Sequence, residues 1–155
     1  MTKRSAAHDT FVIVRDYPHA PAKVFAAYAD PAKKAKWFGG PADWERLEHH
    51  FDFRVGGREL ESGGPRGGTV HTMRGEYWDI IENERIVMSY EMLLDGTRIS
   101  VSLGTTEFRP SATGTTLTYT EQGVYLDGFD DAGGRKEGTG ELLDQLGRFL
   151  NSEGA

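Results

Sequence analysis

The chain has 155 residues, a formal charge of −6 and a pI near 5.4, a length that suits one domain over residues 1–155 burying roughly 70% of its unfolded surface. The acidic balance and the absence of any Lys/Arg block exclude a nucleic-acid footprint, and 37% hydrophobic residues with 11% aromatics exclude disorder. No cysteine is present, which excludes disulfides, a thiol nucleophile and thiolate metal sites.

The stretch from Met1 to Asp9 is polar and lacks the apolar core of a signal peptide. No apolar run approaches the roughly 20 residues of a membrane span, so a cytoplasmic protein without membrane contact is expected. Thr10 to Tyr17 is β-branched and aromatic and reads as a first strand. Pro21 suits the first turn of a helix carrying Val24, Phe25 and Tyr28 on one side. Asp30-Pro31 then reads as a cap and start for a second short helix ending near Trp37.

From Arg46 the period changes to two. Leu47, His49, Phe51, Phe53 and Val55 are expected on the buried face, with Arg46, Glu48 and His50 in water. A partner strand spans Arg58 to Ser62, followed by a flexible loop from Ser62 to Gly68. Thr69 to Ile80 forms a long strand that directs His71, Met73, Gly75 and Tyr77 inward. Arg85 to Leu94 follows, with Ile86, Met88, Tyr90 and Met92 on one face, and Asp95-Gly96 is a hairpin turn. The strand from Thr97 to Arg109 places Ile99, Val101 and Leu103 together, with a bulge at Gly104. Thr115 to Gly123 puts Leu117, Tyr119 and Glu121 on one side.

After a Gly/Asp-rich connection, Leu142, Leu143, Leu146, Phe149 and Leu150 repeat at helical spacing. Gly138 lies one turn before Leu142, where it is expected either to leave space beneath the helix or to mark a frayed first turn. The pattern predicts an α+β protein. Two short helices follow strand one, and an antiparallel sheet of about six to seven strands covers one face with the long C-terminal helix.

Several strings carry a family likeness: Ala20 to Phe25, Asp30-Pro31 running to Trp37, Phe51 to Gly57, Gly75 to Ile80, Glu84 to Val87 and Gly114 to Glu121. On these the chain resembles the family of homologues of the activator of heat-shock-protein-90 ATPase, within the START/birch-pollen-allergen-like (SRPBCC) superfamily. The resemblance implies a helix-grip fold, with a curved sheet around the last helix and a cavity for hydrophobic ligands between them. It implies a carrier or sequestering role, with a cyclase- or hydrolase-like enzyme, or a chaperone cofactor, as alternatives.

Three polar side chains fall on faces read as inward: His49, His71 and Glu121. A buried carboxylate is costly unless paired or protonated, so Glu121 beside His71 would serve as an acid–base pair or hold a ligand's polar end. The apolar wall expected around them comprises Trp37, Phe38, Phe51, Phe53, Met73 and Tyr77 from the first half of the chain. Met88, Tyr90, Met92, Tyr119, Gly138 and Leu142 complete it from the second. No metal is expected, since the two histidines and the carboxylate lie on different strands without ligand spacing. No cofactor motif occurs either. The expected partner is a small hydrophobic molecule, and a homodimer or a chaperone contact stays open. The connection from Tyr125 to Gly134 reads either as a plain solvated connection or as a mobile lid with Phe129 as its plug.

Overall fold

Alternation of β-branched and apolar residues makes the first strand, β1, which spans Ala6–Tyr17 and starts earlier than Thr10. In this computed structural model residues 3–153 are described. Met1 and Thr2, part of the polar N-terminal stretch, and Gly154 and Ala155, the end of the expected domain, lie outside them. Pro21 opens α1 (Pro21–Ala29) at its first turn, where a missing N–H costs nothing. Asp30 caps α2 (Pro31–Lys34), its carboxylate accepting from the N–H of Ala32 at 2.9 Å and of Lys33 at 3.4 Å.

Six strands follow: β2 (Glu45–Phe51), β3 (Arg58–Gly64), β4 (His71–Ile81), β5 (Arg85–Leu94), β6 (Thr97–Ser111) and β7 (Gly114–Leu126). Asp95 and Gly96 both have positive φ, at 49° and 83°, the geometry that matches a two-residue turn to strand twist. The seven strands form one antiparallel sheet in the order β1-β7-β6-β5-β4-β3-β2, with β1 and β2 at its edges. The sheet curves around α3 (Ala132–Ser152).

Packing fixes α3 at both ends. Asp131 accepts from the Gly134 N–H at 2.8 Å and caps its start. At its other end Lys23 Nζ donates to the carbonyls of Leu150 (3.2 Å) and Glu153 (3.0 Å), placing a cation where the helix dipole is negative. Midway, the Tyr17 hydroxyl donates to the Leu143 carbonyl at 2.7 Å. Leu143, Leu146 and Leu150 are buried against Val24, Phe25, Phe108 and Leu117, and Phe149 packs partly against the same core. Among the described residues no helix is long and apolar enough to cross a membrane.

Three sequence expectations give way here. In β2 a bulge between Arg46 and Glu48 turns Arg46 to the side of His49, and leaves Leu47 half exposed. Beyond the strand Val55 is exposed as well, so the half-buried face predicted for this segment shrinks to Phe51 and Phe53. In β6 a register shift between Met92 and Leu93 of β5 falls at Ile99, not at Gly104. Past it, Ser100, Ser102, Gly104 and Thr106 face inward, while Val101 and Leu103 face solvent. Finally, β3 continues to Gly64, through half of the loop expected from Ser62 to Gly68.

Candidate functional site

The ladder aligns side chains into rows across the concave face. One row runs Asp9, Gly123, Ser102, Tyr90, Gly75 and Glu59; the next runs Phe11, Glu121, Gly104, Met88 and Tyr77. Side chains in adjacent rows on one face are near neighbours, so two polar clusters form toward opposite ends of these rows.

The first cluster joins α2 to the sheet. Lys34 Nζ donates to both carboxylate oxygens of Glu59 at 2.7 Å and to the Tyr77 hydroxyl at 3.2 Å, and that hydroxyl donates to Glu59 Oε1 at 2.5 Å. Lys34 also sits 4.4 Å from the ring centre of Phe38 and 4.7 Å from that of Phe51. Burial, then the Glu59 carboxylate, raises the Tyr77 phenol far above its usual range. Every polar group of this cluster has a partner. It is a buried bridge.

The second cluster surrounds Glu121, which is fully buried. Its Oε1 accepts from the hydroxyls of Tyr119 at 2.6 Å and Tyr90 at 2.7 Å. Gly104 permits this: a Cβ there would stand 2.5 Å from the Tyr119 hydroxyl. From the first turns of α3, Arg135 Nη1 donates to the Tyr90 hydroxyl at 3.0 Å and lies 3.5 Å from Glu121 Oε2. Nη2 donates to Ser100 Oγ at 2.7 Å and Asp130 Oδ2 at 2.9 Å. The Tyr125 ring faces the same guanidinium at 5.6 Å.

Burial followed by the Glu121 carboxylate raises the phenols of Tyr90 and Tyr125, the latter to about 12. Burial pulls on Arg135 in the opposite direction, but Tyr90 and Glu121 outweigh it and hold the guanidinium charged.

Here the accounting does not close. Ser102 Oγ, the Tyr125 hydroxyl and Glu121 Oε2 are buried and have no hydrogen-bond partner among the described residues. An unmade hydrogen bond on a buried polar group costs about 1–3 kcal/mol, so three together in one place need a reason. Two of them converge: from an ideal Cβ on Gly123, Ser102 Oγ would be 3.0 Å away and the Tyr125 hydroxyl 3.3 Å. Beside the cluster, between β1 and the start of α3, an open recess of about 330 Å³ is lined by Ile13, Arg15, Gly133, Lys136, Glu137 and Gly140. Ile13 is the register partner of Tyr119.

The residues expected to form a site divide accordingly. Tyr90, Tyr119 and Glu121 come together, with Met88 in Glu121's row and Met73 and Met92 in the row of Ser100 and Tyr125. Tyr77, Phe38 and Phe51 belong to the Lys34 bridge, while Phe53 packs on Phe25 and Tyr77. Trp37 is buried in the core, its indole N–H donating to the Ala27 carbonyl at 2.9 Å. Leu142 is half-buried on α3.

His71 is not beside Glu121. It stacks on Trp44 at 4.6 Å and lies on β4, three strands and about 14 Å along the sheet from β7. The acid–base pair expected from the sequence is therefore not assembled. His49 lies on the concave side but at the exposed edge, where Nδ1 is 2.7 Å from Glu61 and 3.0 Å from Arg46. Gly138 faces solvent with nothing within 4 Å of an added Cβ; the buried glycine of α3 is Gly140. The expected plug, Phe129, is about half exposed, and Asp130 and Asp131 tie its connection to α3. Among the described residues no group of three or more His, Asp or Glu is placed to hold a metal ion.

Arg135, Asp130, Ser100, Ser102, Tyr125, Lys34 and Glu59 were not picked out by the sequence reading. The one local signal was the period-two run of small polar residues in β6, which competed with the apolar alternation of Val101 and Leu103.

The structure is similar to that of a protein from Rhizobium leguminosarum, 43% identical, with a TM-score of 0.93, covering 98% of this chain and all of that one. It is also similar to the Mll3558 protein from Rhizobium loti, 44% identical, with a TM-score of 0.87, covering 94% of this chain and 99% of that one. An AHSA1-like protein from Aeromonas hydrophila, 18% identical with a TM-score of 0.71 over 94% of both chains, shares the fold. No curated protein matches the sequence. Residues 18–151 match the family described as Activator of Hsp90 ATPase homolog 1-like protein, and the chain belongs to that family.

Proposed function

We propose that this protein binds a small, largely apolar molecule between the concave face of the sheet and α3, in a carrier or sequestering role. The ligand's polar end meets the cluster around Glu121. The observation that carries this reading is the set of three buried polar atoms on Ser102, Glu121 and Tyr125 that make no hydrogen bond, Glu121 Oε2 having only the Arg135 guanidinium at ion-pair range. A solid core would replace such groups by apolar ones or pair them, as the Lys34 bridge does. Support also comes from the apolar side chains of Met73, Met88 and Met92 in the adjoining rows, since methionine adapts to irregular shapes. The recess between β1 and α3 opens at Ile13, the register partner of Tyr119.

Thermal melting against a panel of aromatic and lipid-like compounds tests the reading, together with native mass spectrometry of protein taken from its source. A rise in melting temperature that scales with ligand concentration, or a retained small molecule, is expected. No shift anywhere in the panel and no retained mass would defeat it.

A further inference from the structure

Granting that binding reading, we infer that the polar end of the site accepts an uncharged hydroxyl or a protonated amine and turns away carboxylates. The unfilled hydrogen-bonding capacity is what decides the class. Glu121 Oε2 can only accept while the group is ionised, so it calls for a donor from the ligand. Ser102 Oγ and the Tyr125 hydroxyl can each donate or accept, so they adapt to a hydroxyl and tolerate an ammonium group.

The cation that would recognise a carboxylate is already committed. Both Nη2 hydrogens of Arg135 go to Ser100 and Asp130, and Nη1 donates to Tyr90, with Glu121 Oε2 at ion-pair range but not hydrogen-bonded. No free fork remains on its two Nη atoms for bidentate binding. Charge points the same way. Glu121 and Asp130 set two carboxylates against one guanidinium, and Asp9 stands in the same row as Gly123 and Ser102. An anion brought up to Glu121 would meet net negative charge in a desolvated place, while Arg15 and Lys136, with Glu137, line only the recess outside the cluster.

The test is a matched series on one apolar frame, measured with the intact protein by calorimetry at neutral pH. The series consists of biphenyl, para-hydroxybiphenyl, para-aminomethylbiphenyl and biphenyl para-carboxylate. The hydroxyl and aminomethyl compounds are expected to bind about tenfold more tightly than biphenyl, and the carboxylate about tenfold more weakly than the hydroxyl compound. Tyr125→Phe removes only an unpartnered hydroxyl, so it should fold as the wild type does. It should reduce the advantage of para-hydroxybiphenyl over biphenyl several-fold, read as the ratio of the two affinities in the same variant. Glu121→Gln should shrink the penalty on the carboxylate.

A carboxylate that binds as tightly as the hydroxyl compound, with biphenyl itself binding, overturns the assignment of class and leaves the binding site standing. Equal affinity of biphenyl and para-hydroxybiphenyl, unaltered by Tyr125→Phe, overturns it as well. If none of the four binds, the binding site itself is refuted.

Discussion

Two buried clusters share the concave face, each built around a buried carboxylate that meets one cation and at least one tyrosine hydroxyl, with Asp130 as a second carboxylate only beside Arg135. Around Glu59 every donor and acceptor is matched, with Lys34 and Tyr77 saturating the carboxylate. Around Glu121 one carboxylate oxygen is saturated, and the other, with two hydroxyls, is left over. The same chemistry thus serves two ends. A closed set of hydrogen bonds fixes α2 to the sheet, whereas the open set leaves three buried polar atoms without a hydrogen bond, and the proposed binding rests on that difference. Burial or charge alone would not have separated the two; the count of satisfied lone pairs does.

The largest expected effect spans both clusters. All six tyrosines have phenols raised above the usual value, first of all by burial. A neutral phenol in the folded state stabilises it fully below the unfolded pKa of about 10, and that stability is lost as pH rises through the folded values. Ultraviolet titration should therefore show no tyrosine ionising near pH 10 in folded protein. Tyr125 of the open cluster should lead, near 12. Normal titration of several phenols in protein that circular dichroism shows to be folded would contradict the burial described.

Next in size, Glu59→Ala should cost about 3–5 kcal/mol in urea unfolding, because it strands the Lys34 ammonium in the core. The double change Lys34→Met with Glu59→Leu should recover most of that loss. A cost below about 1 kcal/mol for Glu59→Ala would mean the closed cluster is not closed. Gly104→Val should cost about 1–3 kcal/mol and push Tyr119 off Glu121, readable in the melting curve and in the tyrosine titration.

The smallest effects are gains. Gly138→Ala fills an exposed helical position with nothing within 4 Å of its Cβ, and should stabilise by about 0.5–1 kcal/mol. It should also leave ligand affinity unchanged, since Gly138 faces away from the sheet. Ser102→Ala should change unliganded stability by less than about 1 kcal/mol, and in the favourable direction, while weakening the binding of hydroxylated ligands. A clear loss of stability would show that Ser102 Oγ already has a partner, and the distinction between the clusters would blur.

The elements were legible because their signals are local. Pro21 and Asp30-Pro31 announce α1 and α2, Asp95-Gly96 announces the β5–β6 turn, and the leucine spacing announces α3. Glu121 was legible too, as a carboxylate on a face otherwise occupied by Leu117 and Tyr119. The partners were not. Lys34 and Glu59 are 25 residues apart, and Tyr90 and Arg135 are 45 apart. No periodicity within one element encodes such a meeting. A bulge at Leu47 and a register shift at Ile99 also reversed faces that simple alternation had assigned.

By itself, then, the sequence determined which segments become strands and helices and that one sheet face must be covered by the last helix. Hydrophobic period and turn residues act over a few positions and can be read in order. Tertiary structure alone decided which polar groups meet on that face, which of them are satisfied, and where Arg135 enters. Hydrogen bonds over a few ångströms depend on register, bulges and helix placement, quantities set only when distant segments pack together.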